Sequence, residues 1–175
     1  MNGQPRKMSN STMDSIPQTG ARPEAEARRA RLSTLAKAPA GRLLALWSGW
    51  LGGREMPAHD VLRPPEIGTV MVRGRAGATG APFNLGEMTV TRATVRLSGG
   101  AVGHGHVQGR DKDAAHVAAL IDALCEAGEA GEAAALEAAI LVPLRAEAEA
   151  ERRSRAAKAA ATKVEFFTMV RGDNG

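Results

Sequence analysis

A chain of 175 residues has the length of one domain with room for an arm, and it is long enough to bury a core of its own. With no Tyr, two Trp and three Phe, that core has to be built from Ala, Leu, Val and Ile, and the single cysteine, Cys125, excludes an internal disulfide framework. The net charge of +4 is uneven: residues 1–54 hold nine Lys or Arg against three Asp or Glu, and residues 55–175 hold fourteen against sixteen.

A basic front end is compatible with nucleic acid or an acidic partner protein, and equally with an Arg-rich helix face standing in solvent. No apolar run reaches the ~20 residues that cross a bilayer. Arg6 and Lys7 are not followed by the apolar stretch of a secretory signal. A cytoplasmic protein without a membrane partner is expected.

Residues 1–22 are rich in Ser, Thr, Asn, Gly and Pro and bring almost no large apolar surface, so a disordered N-terminal extension is expected there. Residues 23–162 are expected to form one α+β domain. Glu24 to Lys37 reads as a helix, acidic in front and basic behind, as the helix dipole favours. Pro39 ends it and suits the first turn of the next. In "GRLLALWSGWLGG", Leu43, Leu46, Trp47, Trp50 and Leu51 fall on one helical face, and Gly52-Gly53 closes the helix. The pair is a helical hairpin with both tryptophans in the core or at an interface.

An antiparallel meander of about four strands follows. "HDVLRPPE" is a short extended piece that Pro64-Pro65 confines to an edge or corner. "IGTVMVRGRAG" is a second strand, "ATGAPFNLGE" a turn, and "MTVTRATVRL" the clearest strand, rich in Thr and Val. "AVGHGHVQG" makes the last. The short links between them point to antiparallel pairing. Asp111 or Asp113 then caps a helix whose stripe is Val117, Leu120, Ile121 and Leu124, ended by Gly128. "EAAALEAAILVPL" is a further helix, stopped or kinked near Pro143. Residues 144–162 form a polar helix whose Glu149–Arg153 and Glu151–Arg155 pairs are four apart and whose seam is alanine alone. Residues 163–175, "KVEFFTMVRGDNG", put an apolar hook at the end of the chain, where polar residues are usual.

Few groups here could carry chemistry. The glycines of "GHGHVQGRD" give GxGxxxG, with Gln108 where the dinucleotide fingerprint needs its third Gly, and the segment follows a strand of a meander rather than opening a βαβ unit. His104 and His106 share a strand face as metal ligands do, but no third ligand stands at a suitable spacing. Arg92 and Arg96 share a strand face about 13 Å apart, too far for one carboxylate, and with Arg110 they are candidate anion contacts. Cys125 sits beside Leu124 on an amphipathic helix and shows no sign of activation. Neither a catalytic residue nor a cofactor or metal site of the chain's own is expected. A small basic nucleic-acid-binding module remains as an alternative, though it lacks interleaved aromatics and a binding motif.

"FNLGEMTVTRATVRL", "GHGHVQGRDKDAAHVAALIDAL" and "KVEFFTMVRGDNG", in that order, resemble the PhnG family, the G subunit of the bacterial carbon–phosphorus lyase core complex. The resemblance spans roughly residues 28–175. It implies a required, non-catalytic subunit in phosphonate breakdown, serving a complex that replaces the adenine of ATP by methylphosphonate to give α-D-ribose 1-methylphosphonate 5-triphosphate. Its implied partners are the H, I and J subunits in a two-fold hetero-oligomer, with the L protein assisting. ATP is then a substrate of the complex, while the iron–sulfur cluster and S-adenosylmethionine belong to the J subunit. The family does not require histidine at 104 and 106, which weakens the metal reading. In that setting Phe166, Phe167, Met169, Val170 and Arg171 are candidate docking residues, because each Phe brings ~150–250 Å² of surface that needs cover.

Overall fold

The computed structural model describes residues 23–75, 80–128 and 130–161. It is α+β, as expected. Helix α1 runs Pro23–Lys37 and α2 runs Ala40–Leu51, with Glu24 and Glu26 in the first turn of α1 and Lys37 in its last. Pro39 lies between them, and its carbonyl accepts the Arg42 and Leu43 N–H groups, each at 3.0 Å. Gly52 closes α2 in the left-handed conformation (φ 55°), where a side chain would be strained, and donates to Ser48 O. Leu43 and Trp47 are buried. Trp50 stacks on Trp47 at 5.0 Å between centroids, with the Arg54 guanidinium 4.4 Å above its ring.

Among the described residues the sheet has three strands, not about four: β1 (His59–Arg75), β2 (Pro82–Leu97) and β3 (Val102–Gln108), antiparallel in the order β1-β2-β3. The two pieces read separately on either side of Pro64-Pro65 are one strand. Those prolines fall in a register irregularity between Arg63 and Glu66. Because β1 is an edge strand, their missing donors interrupt the pairing without ending it. Likewise, 82–87 of the expected turn pair with β1 and belong to β2.

Helix α3 (Lys112–Glu126) covers one face of this sheet. Asp111 caps it, accepting the Ala114 N–H at 2.8 Å, and Val117, Leu120, Ile121 and Leu124 are all buried. With β2 and β3 on one side and α1 and α2 on the other, Ala114, Ala115, Ala118, Ala119 and Ala123 are buried as well. Alternation along β2 sends Thr91, Ala93, Val95 and Leu97 toward α3.

Here the Gly–His–Gly stretch finds its physical role. On β3, a Cβ at Gly103 would fall 2.1 Å from Ala119 O, and one at Gly105 would fall 2.0 Å from Ala115 O. Strand and helix backbones touch because one side offers glycine and the other alanine.

The last described residues form one helical run. Helix α4 (Ala130–Leu136) passes through a π-helical turn (Glu137–Leu141) into α5 (Val142–Ala161). Pro143 therefore does not stop the helix. In the wide turn the Val142 N–H donates to Glu137 O, five residues back, which loosens the ladder where Pro143 brings no donor. Leu136, Ile140, Leu141 and Leu144 are buried, while residues 150–161 are exposed. Glu149 reaches Arg152 more closely than Arg153, which stands 3.7 Å away. Residues 1–22 and the expected tail at 163–175 lie outside the described residues.

Candidate functional site

With α3 on one face of the sheet, the opposite face is open, and the candidate anion contacts Arg92 and Arg96 project there from β2. Strand pairing places Arg92 between Glu66 and His106, Thr94 between Arg63 and His104, and Arg96 between Asp60 and Val102. Arg92 Nε donates to Glu66 Oε1 at 2.6 Å, and Arg96 donates to Asp60 Oδ2 at 2.9 Å. Arg63 adds a second, longer bond to Glu66 at 3.3 Å. Each arginine thus already holds a carboxylate, whose negative charge an incoming anion would meet.

Arg110 is not brought to this group. It lies in the β3–α3 connection, whose Gly109 carbonyl accepts the Thr91 hydroxyl at 2.8 Å, and Thr91 faces α3. His104 and His106 do share the open face, with the Thr94 hydroxyl 3.2 Å from His104 Nδ1. Burial, followed by the nearby His104, Arg92 and Arg63, pushes the His106 pKa below the usual histidine value. His106 therefore sits in an environment that disfavours its protonation. Among the described residues no group of three or more His, Cys, Asp or Glu side chains is placed to hold a metal ion. Phe166, Phe167, Met169, Val170 and Arg171 lie outside the described residues.

Sequence reasoning missed two clusters. Asp122, fully buried on α3, accepts from Arg28 at 2.7 Å, from Arg31 at 2.9 Å and from the His104 backbone N–H at 3.0 Å. Burial works against the Arg31 charge, yet the bond to Asp122 raises its pKa above the ordinary arginine value. Arg28 also donates to Val102 O at 3.2 Å, so α1 covers the outer edge of β3. A hint existed: Asp122 is the one polar residue between Val117 and Cys125, and Arg28 and Arg31 share a face of α1.

The second cluster is His59 with His116, whose Nε2 atoms are 3.0 Å apart. His59 Nδ1 lies 2.7 Å from Pro57 O and must donate to it, which leaves Nε2 of neutral His59 as acceptor and His116 Nε2 as donor. Burial, then His59, lowers the His116 pKa, with Asp113 opposing. Burial also raises the Cys125 thiol above its usual value, so it is not an activated nucleophile.

The described residues define a class: an α+β chain whose sheet is backed by helices on one face, open and charge-paired on the other, and carried well beyond its third strand. The particular family follows from comparison with known proteins. This chain belongs to the PhnG family, whose model, "Phosphonate metabolism protein PhnG", matches residues 26–172. It is also 47% identical over 147 residues to a curated protein of Rhizobium meliloti (strain 1021), "Alpha-D-ribose 1-methylphosphonate 5-triphosphate synthase subunit PhnG". That match covers 84% of this chain and 90% of the relative. Among the described residues no helix is long and apolar enough to cross a membrane.

Proposed function

We propose that this chain is a required, non-catalytic subunit of an α-D-ribose 1-methylphosphonate 5-triphosphate synthase, acting in phosphonate breakdown in the cytoplasm. The observation that carries the reading is the 47% identity, over nine-tenths of the relative's length, to a protein that bears that subunit's name. Its partners are the H, I and J subunits in a two-fold hetero-oligomer, with the L protein assisting. ATP is a substrate of the assembly, and the iron–sulfur cluster and S-adenosylmethionine belong to the J subunit. The chain contributes surface, and its partners contribute the reacting groups.

The side chains support this division. The one described cysteine is held protonated, and the buried carboxylate is fully engaged by two arginines and a backbone amide. Arg92, Arg96 and Arg110 are the cations offered to anionic groups, the first two beside their partners Glu66 and Asp60. The nucleic-acid reading loses support, because Arg28, Arg31 and Arg42 of the basic front end are taken up by Asp122, Glu126 and Glu147.

Within the assembly, Phe166, Phe167, Met169, Val170 and Arg171 dock on the I subunit. The test is co-expression of the full chain with the H, I and J subunits, followed by sizing of the product. Deleting residues 164–175 is expected to abolish co-purification with the I subunit while the isolated domain stays folded. Assembly retained after the deletion would remove the tail from the account. A full-length chain that never joins the complex would overturn the subunit reading itself.

A further inference from the structure

β1 and β2 contain 17 and 16 residues, but β3 contains only 7 and pairs with β2 from Val90 to Arg96. Beyond that point the hairpin runs on as a two-stranded ribbon, residues 69–75 against 82–89. Two strands alone are marginally stable in water. This ribbon is also apolar on both faces. Met71, and Ile67 just below the ribbon's root, lie on the α3 side, opposite Glu87 and Thr91, while Val70 lies on the other side, opposite Met88. Phe83 and Leu85 follow toward the tip. All five are between 42% and 61% exposed.

The sheet's edges are guarded unequally. α1 covers the outer edge of β3 through Arg28 and Val102 O, and Pro64-Pro65 break the lower part of the β1 edge. Among the described residues, neither a helix nor a proline protects β1 from Glu66 outward. Native chains blunt long apolar edges, since these pair with whatever they meet. An edge left open beside apolar side chains on both faces is a surface reserved for a partner. Its charge is informative too: Arg73 and Arg75 stand against Glu87 alone, so the distal ribbon is cationic.

We infer that this ribbon is an arm that inserts into a different subunit of the synthase, in an apolar cleft whose rim carries carboxylates. The inference rests on the subunit reading above and adds where the contact is made. A second copy of this chain fits less well. Two-fold pairing buries one edge or one face of each ribbon and leaves the opposite apolar face in water. A cleft with two walls covers both.

The experiment uses the full chain co-expressed with the other synthase subunits. Hydrogen exchange at residues 66–75 and 82–89 should slow on assembly relative to the isolated chain. A Val70→Thr, Met71→Thr, Leu85→Thr variant keeps β-forming residues in place and should melt as wild type does when isolated, yet enter the complex at least about tenfold less well. Should that variant misfold, Arg73→Glu with Arg75→Glu tests the same arm through its charges, with the same expected loss. Assembly undiminished in the folded variants, with no added protection of the ribbon, would overturn the inference while leaving the subunit reading standing. Failure of the wild-type chain to assemble would remove the subunit reading and this inference with it. An isolated wild-type dimer that the threonine variant turns into a monomer would give the ribbon to a second copy and overturn the inference as stated.

Discussion

Adding one methyl group at Gly105 tests whether the Gly–His–Gly stretch is a packing device or a loop kept free for a ligand. An ideal Cβ there lies 2.0 Å from Ala115 O, 2.8 Å from Ala119 N and 3.1 Å from Ala115 C. Ordinary contact begins near 3.4 Å, so the methyl is about 1.4 Å too close to its nearest neighbour. All three atoms are helix backbone and cannot rotate away. α3 must therefore lift from β3, although α1 and α2 pack behind it and Asp122 ties it to Arg28 and Arg31. Overpacking that side chains can absorb costs about 1–3 kcal/mol. A clash that moves a helix is expected to reach about 3 kcal/mol or more, and at about 2–4 °C per kcal/mol for a domain of this size the Tm of Gly105→Ala should fall by roughly 6–12 °C. Gly68→Ala on the same sheet is the control. Its Cβ meets nothing within 4 Å, so its Tm should stay within about 2 °C of wild type or rise slightly as the unfolded chain loses freedom. Thermal melts followed by far-ultraviolet circular dichroism separate the two. A Gly105→Ala protein melting with wild type would refute the close approach of α3 to β3.

Asp122→Ala removes the carboxylate that Arg28, Arg31 and the His104 amide share in the core, and should destabilise the chain by about 3–5 kcal/mol in urea unfolding. Glu147→Gln, at the exposed Arg42 pair, should leave the unfolding midpoint where it is, and equal losses at the two sites would contradict the burial argument. Stability should also fall on mild acidification. His106 and His116 bind protons less readily folded than unfolded, so their contribution is complete above a pH of about 6.5 and is lost as the pH drops through their lowered folded values. Tm measured from pH 7.5 down to about 5.5 should decline, and less steeply in His106→Gln; an unchanged slope would detach His106 from the effect.

What could be read in the sequence was whatever is local. The two N-terminal helices, the Asp111 cap and the strand character of residues 88–97 follow from residue types within a turn or two of one another. Partners far apart in the chain left no such mark. Arg28 and Asp122 are 94 residues apart, and His59 and His116 are 57 apart. Pro64-Pro65 signalled a break because a proline lacks a donor, and only the position of β1 at the sheet edge makes that loss tolerable. Pro143 misled in the same way, since a π-helical turn absorbs it. The spacing of the glycines at 103 and 105 argued against a nucleotide role, and in the structure they let β3 approach α3. Their actual use could have been suspected from the small residues Ala115, Ala119 and Ala123, which recur every fourth position along α3.

The two arginines first singled out as anion contacts acquire a different meaning once the ribbon is seen. Pairing between β1 and β2 slips on both sides of Arg63, around the two prolines, which is where a long hairpin would hinge. Asp60–Arg96 bridges the strands on one side of that slip and Glu66–Arg92 on the other. Exposed pairs of this kind contribute at most about 1 kcal/mol each, but two that straddle a gap in the ladder fix the direction in which the ribbon leaves the sheet. Arg92 and Arg96 thus hold the root of the arm, and the outer ribbon stays open. If an anion drew Arg92 away from Glu66, that root would slacken, and, if the ribbon docks, a mutation of Glu66 is expected to change how it does so.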